Sequence, residues 1–215
     1  LTDPPAHGRY RRLALEALSM KAVKGLTPFV EKNVARFAQP FDSGEPVDFV
    51  AHFCERVPLS TILHFIGAPE SDYELINGWT HQFFSTIMGQ APRAEYLKTV
   101  DMICDLFNYI ARRVEAVRKN PDGTLIDNLL HAHEASNDEP LTLEEILSMF
   151  QVLLLAGHDT TRQTLANGMR MFATRPELFR QLQENPEQVP AFVEEVIRIY
   201  SPSNMSPRIA PVDTE

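Results

Sequence analysis

Met149-Phe150-Gln151-Val152-Leu153-Leu154-Leu155-Ala156-Gly157-His158-Asp159-Thr160-Thr161 is the stretch on which the fold turns. Its first half is nearly unbroken apolar residues, the pattern of a helix buried on most sides. Its second half breaks that pattern. Gly157 is a weak helix former, costing about 1 kcal/mol relative to Ala in a helix interior, and Asp159, Thr160 and Thr161 are polar. A buried carboxylate without partners costs far more. A mid-helix Thr hydroxyl can donate to the carbonyl four residues back, for Thr160 that of Ala156, and bend the helix. The expectation is a long core helix, locally opened beside a carboxylate and a hydroxyl. Two explanations fit: a kinked helix whose polar groups are satisfied locally, and a helix bulge that delivers protons.

The limits of this helix are legible on either side. In Leu141-Thr142-Leu143-Glu144-Glu145, Thr142 is a cap and Glu145 the reciprocal partner of a capping box. Only Gly157 and Gly168 interrupt the run before Pro176. A helix reaching Thr174 would be about 50 Å long at 1.5 Å per residue, enough to cross a domain. Pro176 opens another helix, Glu177 to Gln183, and Asn185-Pro186 turns the chain.

Toward the N-terminus, Asp3-Pro4-Pro5-Ala6 is an extended lead-in. His7-Gly8-Arg9-Tyr10-Arg11-Arg12 then enters a helical stretch, Leu13 to Met20. His7 and Arg11 share a face, where two cationic donors could hold an anion or simply form a solvated basic helix start. Residues 19–41 repeat apolar positions at helical spacing (Ala22, Val23, Leu26, Phe29, Val30, Val34, Phe37). Phe41-Asp42-Ser43-Gly44-Glu45-Pro46 is a turn. A helix restarts at Val47-Asp48-Phe49-Val50, and another begins at Pro58 and ends near Gly67-Ala68-Pro69. His52 and His64 fit solvent-facing or satisfied positions. Two longer amphipathic helices, Tyr73 to Phe84 and Tyr96 to Val117, flank the breaker Met88-Gly89-Gln90-Ala91-Pro92. Lys119-Asn120-Pro121-Asp122-Gly123 stops the second, and Leu125 to Leu130 forms a short helix. His131 and His133 point in different directions on a helix and make a poor metal pair. Glu195 and Arg198 stand one turn apart and can pair. Helices joined by short turns throughout imply a mainly α architecture.

Bulk properties narrow the function. At 215 residues, 44% hydrophobic and 23% charged, the chain has the composition of an ordinary globular protein. A net charge of −9 argues against nonspecific nucleic-acid binding. No apolar run has the length of a membrane span, and residue 1 starts no signal-peptide pattern. Leu1 is not a start methionine, so a leader or anchor could precede it. Cys54 and Cys104 lie in apolar helical patterns and read as buried free thiols, which suits a reducing, cytoplasmic setting.

Ala156-Gly157-His158-Asp159-Thr160-Thr161 resembles the A-G-x-[DE]-T-T motif in the long distal helix of cytochromes P450. Three further matches follow the family's order. Residues 3–12 resemble its D-P-P-x-H-x-x-x-R-R segment, and Glu195 to Arg198, followed by Tyr200-Ser201-Pro202-Ser203, resembles its E-x-x-R helix. Ser206-Pro207-Arg208-Ile209-Ala210 resembles the strand that carries a propionate-binding Arg. The resemblance covers nearly the whole chain and is closest to soluble bacterial members.

The resemblance implies one partial cytochrome P450 domain over 1–215, mainly α, with a long central distal helix and minimal β-structure beginning near residue 206. It implies haem as cofactor, with His7 and Arg11 on one propionate and Arg208 on a second; an Arg fork pairs both carboxylate oxygens. Ala156 and Gly157 would leave room for dioxygen, Thr160 would hydrogen-bond it, and Asp159 would relay protons. Glu195 and Arg198 would be the structural pair that locks the haem-binding core. Asn204, Met205 and Ser206 would lie near the substrate pocket, under a lid made by the helices at Tyr73 and Tyr96. The implied reaction is insertion of one oxygen atom from O2 into a small hydrophobic organic substrate. Electrons would come from a ferredoxin-type donor with an NAD(P)H-dependent reductase.

One departure matters. The family's haem iron is held by a Cys in a Gly-rich loop near the C-terminus, and neither Cys54 nor Cys104 has that context. No metal ligand is therefore expected within this chain, and the family's N-terminal β-region has no counterpart in it. The expectation is a central fragment that cannot hold haem in the family's manner as it stands. A non-catalytic P450-like helical scaffold is the alternative.

Overall fold

A cap at Thr142 and a proline at 176 do bound one helix. It runs Leu143–Thr174, 32 residues. The capping box forms in full: the Glu145 N–H donates to Thr142 Oγ1 at 3.3 Å, and the Thr142 N–H donates to Glu145 Oε2 at 2.8 Å. In this computed structural model, which describes residues 6–87, 92–136 and 138–203, that helix is α8. It follows α1 (Ala6–Ala17), α2 (Met20–Gly25), α3 (Thr27–Ala38), α4 (Arg56–Phe65), α5 (Tyr73–Ile87), α6 (Tyr96–Lys119) and α7 (Leu125–Ser136). α9 (Pro176–Glu184) and α10 (Val189–Ile199) come after it. Short 3-10 turns and one π-helical turn, Val50–Cys54, link some of these, and no strand occurs among the described residues.

The expected opening of α8 does not occur, since its backbone is α-helical straight through Gly157. Thr160 Oγ1 donates to the Ala156 carbonyl at 2.6 Å and Thr161 Oγ1 to the Gly157 carbonyl at 3.0 Å. A carbonyl has two lone pairs, so each hydroxyl is satisfied without displacing a ladder bond. Gly157 has a packing reason instead. A Cβ at 157 would stand 3.0 Å from Ile62 Cδ1, so glycine lets α4 and α8 approach closely.

The first half of α8 is the floor of the core. Ile146, Phe150 and Leu154 are buried one turn apart, against Leu59 and Leu63 of α4, Ile110 and Val114 of α6, Ile126 and Leu129 of α7, and Leu13 of α1. Each such side chain, fully buried, contributes roughly 1.5–3 kcal/mol. Beyond the last residue of α4, Phe65, and its cap Ile66 comes Gly67, whose φ of 70° puts it in the left-handed region that favours glycine.

Several expectations are corrected. The stretch 19–41 is two helices, because α2 ends at Gly25 and Pro28 opens α3. Val23 and Val34 of its apolar face are exposed. The short helix after Gly123 extends to Ser136. Cys54 is buried as expected, but Cys104 is exposed on α6; both thiols are free. His64 is exposed, one of the two settings expected of it, and stacks on Phe29 with ring centroids 3.7 Å apart. The segment Asp3-Pro4-Pro5, the expected strand near Ser206, and Asn204, Met205, Ser206 and Arg208 lie outside the described residues. No described helix is long and apolar enough to cross a membrane.

Candidate functional site

The second half of α8 carries its polar groups on two adjoining faces. Asp159 Oδ1 accepts from Arg162 Nε at 2.9 Å and from Arg162 Nη2, and its Oδ2 accepts from Gln163 Nε2 at 2.5 Å. Both oxygens are thus engaged by the next turn of the same helix, the spacing at which helical side chains meet. The Arg162 guanidinium has a second carboxylate near it. Its Nη1 stands 3.9 Å from Oε1 of Glu55, the residue that joins the π-helical turn to α4. The same Glu55 oxygen stands 4.0 Å from Nε2 of His81 on α5.

His158 lies beneath this group. It is 2% exposed and its Nε2 has no hydrogen-bond partner. Its ring meets His81 edge-on, centroids 6.3 Å apart. Burial first, and then the Arg162 cation, push the imidazole down to about 4, so it is neutral at pH 7. Burial likewise pushes the Cys54 thiol up to about 11, which makes it a poor nucleophile.

The other face of α8 is open. Val152, Ala156 and Thr160 follow one another at four-residue spacing and form a single stripe. Val152 is 58% exposed, Ala156 is exposed and Thr160 half-buried. This is a flat, small, apolar face with one hydroxyl on it, whose oxygen keeps acceptor capacity beyond the bond it donates. It can lie against a planar apolar group and offer that group a hydrogen bond.

α1 is divided in the same way. Arg9 donates to Glu145 Oε1 at 2.9 Å and to the carbonyls of Glu139 and Pro140 at 2.9 and 2.8 Å. The Tyr10 hydroxyl donates to Glu145 Oε1 at 2.8 Å, and Arg12 pairs with both oxygens of Asp138. Burial pushes the Glu145 carboxyl up, but the bonds from Arg9, the Thr142 N–H and Tyr10 outweigh it and hold it below the usual range. His7 and Arg11, on the opposite face of α1, are exposed and have no partner among the described residues. They remain able to grip an anion.

Glu195 and Arg198 do pair, through two bonds of 2.6 Å, yet their side chains are 45% and 70% exposed. An exposed pair adds little stability as it stands. A surface cleft of about 630 Å³ lies elsewhere, between α1, α4 and α7, lined by Glu16, His64, Asp122 and His131 among others.

Asp159, Thr160, Ala156 and Gly157 thus stand on the helix expected to carry them, and His7 and Arg11 share one face. Arg162, Gln163, Glu55, His81 and the buried His158 are additions that come from the structure. Arg162 and Gln163 carried a signal, since they stand three and four residues past Asp159. Glu55 and His81 carried none, because only tertiary packing brings them to α8.

A family model described as cytochrome P450 matches residues 79–215. The chain is 30% identical over 211 residues to cytochrome P450 CYP107DY1 of Priestia megaterium, covering 98% of this chain and 50% of that protein. It is 30% identical over 197 residues to mycinamicin IV hydroxylase/epoxidase of Micromonospora griseorubida, covering 91% of this chain and 48% of that protein. The ligand-free structure of cytochrome P450 TbtJ1 superposes with a TM-score of 0.82 at 26% identity, over 92% of this chain and 51% of that one. The chain spans about half the length of the curated relatives it matches.

Proposed function

The chain belongs to the cytochrome P450 family, and from that premise we propose that the protein carrying it is a haem-dependent monooxygenase. It would insert one oxygen atom from O2 into a small hydrophobic organic molecule. Its electrons would come from a ferredoxin-type donor served by an NAD(P)H-dependent reductase, in the cytoplasm. The observation that carries this reading is the join on α8 between the open stripe Val152, Ala156, Thr160 and the carboxylate of Asp159. The similar hydroxylase/epoxidase of Micromonospora griseorubida supports it.

The residues present fit haem. An uncovered apolar face suits a flat macrocycle, and His7 and Arg11, which have no partner among the described residues, suit its carboxylates as donors. Haem, when bound through a Cys outside this chain, supplies the oxygen-activating redox chemistry. The protein's part is positioning and protons. Ala156 keeps the face clear, and Gly157 holds α4 close behind it. Thr160 presents a hydroxyl on that face, and Asp159, one residue before it, carries protons in from solvent. His7, Arg11 and Arg208 fix the propionates, and Glu195 with Arg198 braces the haem-binding core. Asn204, Met205 and Ser206 shape the substrate side.

The first test is the absorption spectrum of the full-length gene product, reduced and exposed to carbon monoxide. The red-shifted Soret band of thiolate-ligated haem is the expected result. A spectrum without haem, or without that shift, overturns the enzyme reading in favour of a non-catalytic helical scaffold. The second test is Thr160→Ala in the holoenzyme. Product per electron is expected to fall and peroxide release to rise; unchanged coupling would refute the role given to Thr160.

A further inference from the structure

Arg162 stands between two carboxylates, and only one of them lies on its own helix. Asp159 holds it at Nε and Nη2, while Glu55 waits 3.9 Å from Nη1. Side-chain exposure is 48% for His81, alike for Glu55 and Arg162 at 25% and 24%, and 13% for Asp159. The group is a path from solvent inward, crossing from α5 to α8.

Asp159, if it carries protons, faces a conflict in this arrangement. A carboxylate oxygen has about two lone-pair sites, and Arg162 takes both of those on Asp159 Oδ1 through Nε and Nη2. Taking up a proton on Oδ1 means giving up the guanidinium. We propose that Glu55 is a positioning residue for proton delivery: it is the second seat of Arg162, and passage of Arg162 from Asp159 to Glu55 frees Asp159 to accept a proton. This rests on the reading of Asp159 as the proton carrier.

The geometry favours the exchange. Glu55 is held from outside α8, beside the buried Cys54 and Val57, so it stays in place when Arg162 moves. Arg162 needs only side-chain rotation, a fast motion for a partly exposed residue. His81 shares that seat, its Nε2 standing 4.0 Å from the same Glu55 oxygen that Arg162 must reach. The other group facing His81 is His158, which is neutral, and the cation next to Glu55 in sequence, Arg56, is turned to Glu74 at 3.6 Å. The proton starts in bulk water, rests on an Asp159 oxygen and leaves toward the Thr160 hydroxyl. Asp159 then recovers Arg162, and only O–H bonds have formed and broken.

The experiment uses the full-length holoenzyme with its reductase and compares Glu55→Gln, Glu55→Asp, Arg162→Lys and Asp159→Asn. Glu55→Gln is expected to slow turnover about tenfold, less than the roughly hundredfold or more typical of losing an acid–base group itself. The solvent hydrogen isotope effect should rise with it, and Glu55→Asp should restore most of the rate. Arg162→Lys keeps the charge but not the forked geometry and should raise the isotope effect in the same way. A readout independent of turnover is the NMR signal of the Arg162 side-chain nitrogens in the reduced, carbon-monoxide-bound protein. Exchange broadening between two environments is expected, replaced by one sharp environment in Glu55→Gln. Wild-type turnover, isotope effect and line shape in Glu55→Gln, beside an impaired Asp159→Asn, overturn the inference and leave the role of Asp159 standing. Should Glu55→Gln fail to fold, an unchanged isotope effect in Arg162→Lys overturns it equally. An unimpaired Asp159→Asn overturns the underlying reading, and the inference with it.

Discussion

Glu145 and Asp159 sit near the start and in the middle of α8, and each accepts bonds from an arginine and from further donors. The donors of Glu145 are Arg9 and Tyr10 of α1, 136 and 135 residues away in sequence, and the cap N–H of Thr142. None of the α1 bonds can break without loosening the seat of α1. The donors of Asp159 all come from the following turn of its own helix. They can leave while every helix stays where it is. The span of chain between donor and acceptor, rather than the number of bonds, separates a fixed clamp from a releasable pair.

The largest expected effect asks whether the middle of α8 is also its acid-sensitive part. His158 is neutral down to about pH 4 when folded, against an ordinary value near 6.5. The unfolded chain therefore binds its proton first, and the stability His158 allows is present above about 6.5 and lost as pH falls toward 4. The loss is on the order of 3 kcal/mol. His131, raised first by its bond to the Asp127 carbonyl, works in the opposite sense and above this window: its contribution is present below about 6.5 and lost as pH rises through its higher folded value. The measurement is accordingly the difference between wild type and His158→Leu in urea unfolding at several pH values. Parallel pH profiles for the two would break the assignment.

Next comes the contrast itself. Glu145→Gln should cost about 2 kcal/mol at pH 7, between a lost cap and a broken buried pair. Its depressed carboxyl contributes stability above the unfolded value near 4.3 that is lost as pH falls through the lower folded value, a loss the Gln variant should not show. Asp159→Asn should cost under about 1 kcal/mol, as local pairs do. Equal costs by chemical denaturation would erase the distinction. The smallest effect is expected at Gly157→Ala. A helix-propensity gain of about 1 kcal/mol should be offset by crowding against Ile62 of about the same size. In an Ile62→Val background the same substitution should stabilise, and failure to do so would mean that Ile62 is not what the glycine accommodates.

The sequence made α8 legible from end to end because both of its signals, the Thr142 to Glu145 box and Pro176, act within one turn of chain. The same local logic misled at Gly157 and Thr160. Weak propensity and a back-bonding hydroxyl read as an opening, yet packing against Ile62 and shared carbonyls left the helix whole. Cys104 was misplaced for a related reason: its neighbours have helical periodicity, but it falls off the buried stripe of Leu106, Ile110 and Val114. For the site, the α8 residues and the free face of His7 and Arg11 could be read in advance. The partners that govern them, Arg9 to Glu145 and Glu55 to Arg162, could not, because nothing local encodes contacts across so many residues.

The clamp at Glu145 also fixes an order of events during synthesis. Arg9 leaves the ribosome before its partner Glu145, which lies 136 residues later. At ~5–20 residues per second, that is a delay on the order of ten seconds. Until then α1 can have at most part of its final seat, and closing so long a loop carries an entropy cost that nearer contacts escape. Contacts between distant parts of a chain generally form slowly. His7 and Arg11 ride on α1, so the face they share acquires its fixed orientation only when α8 has emerged to receive Arg9.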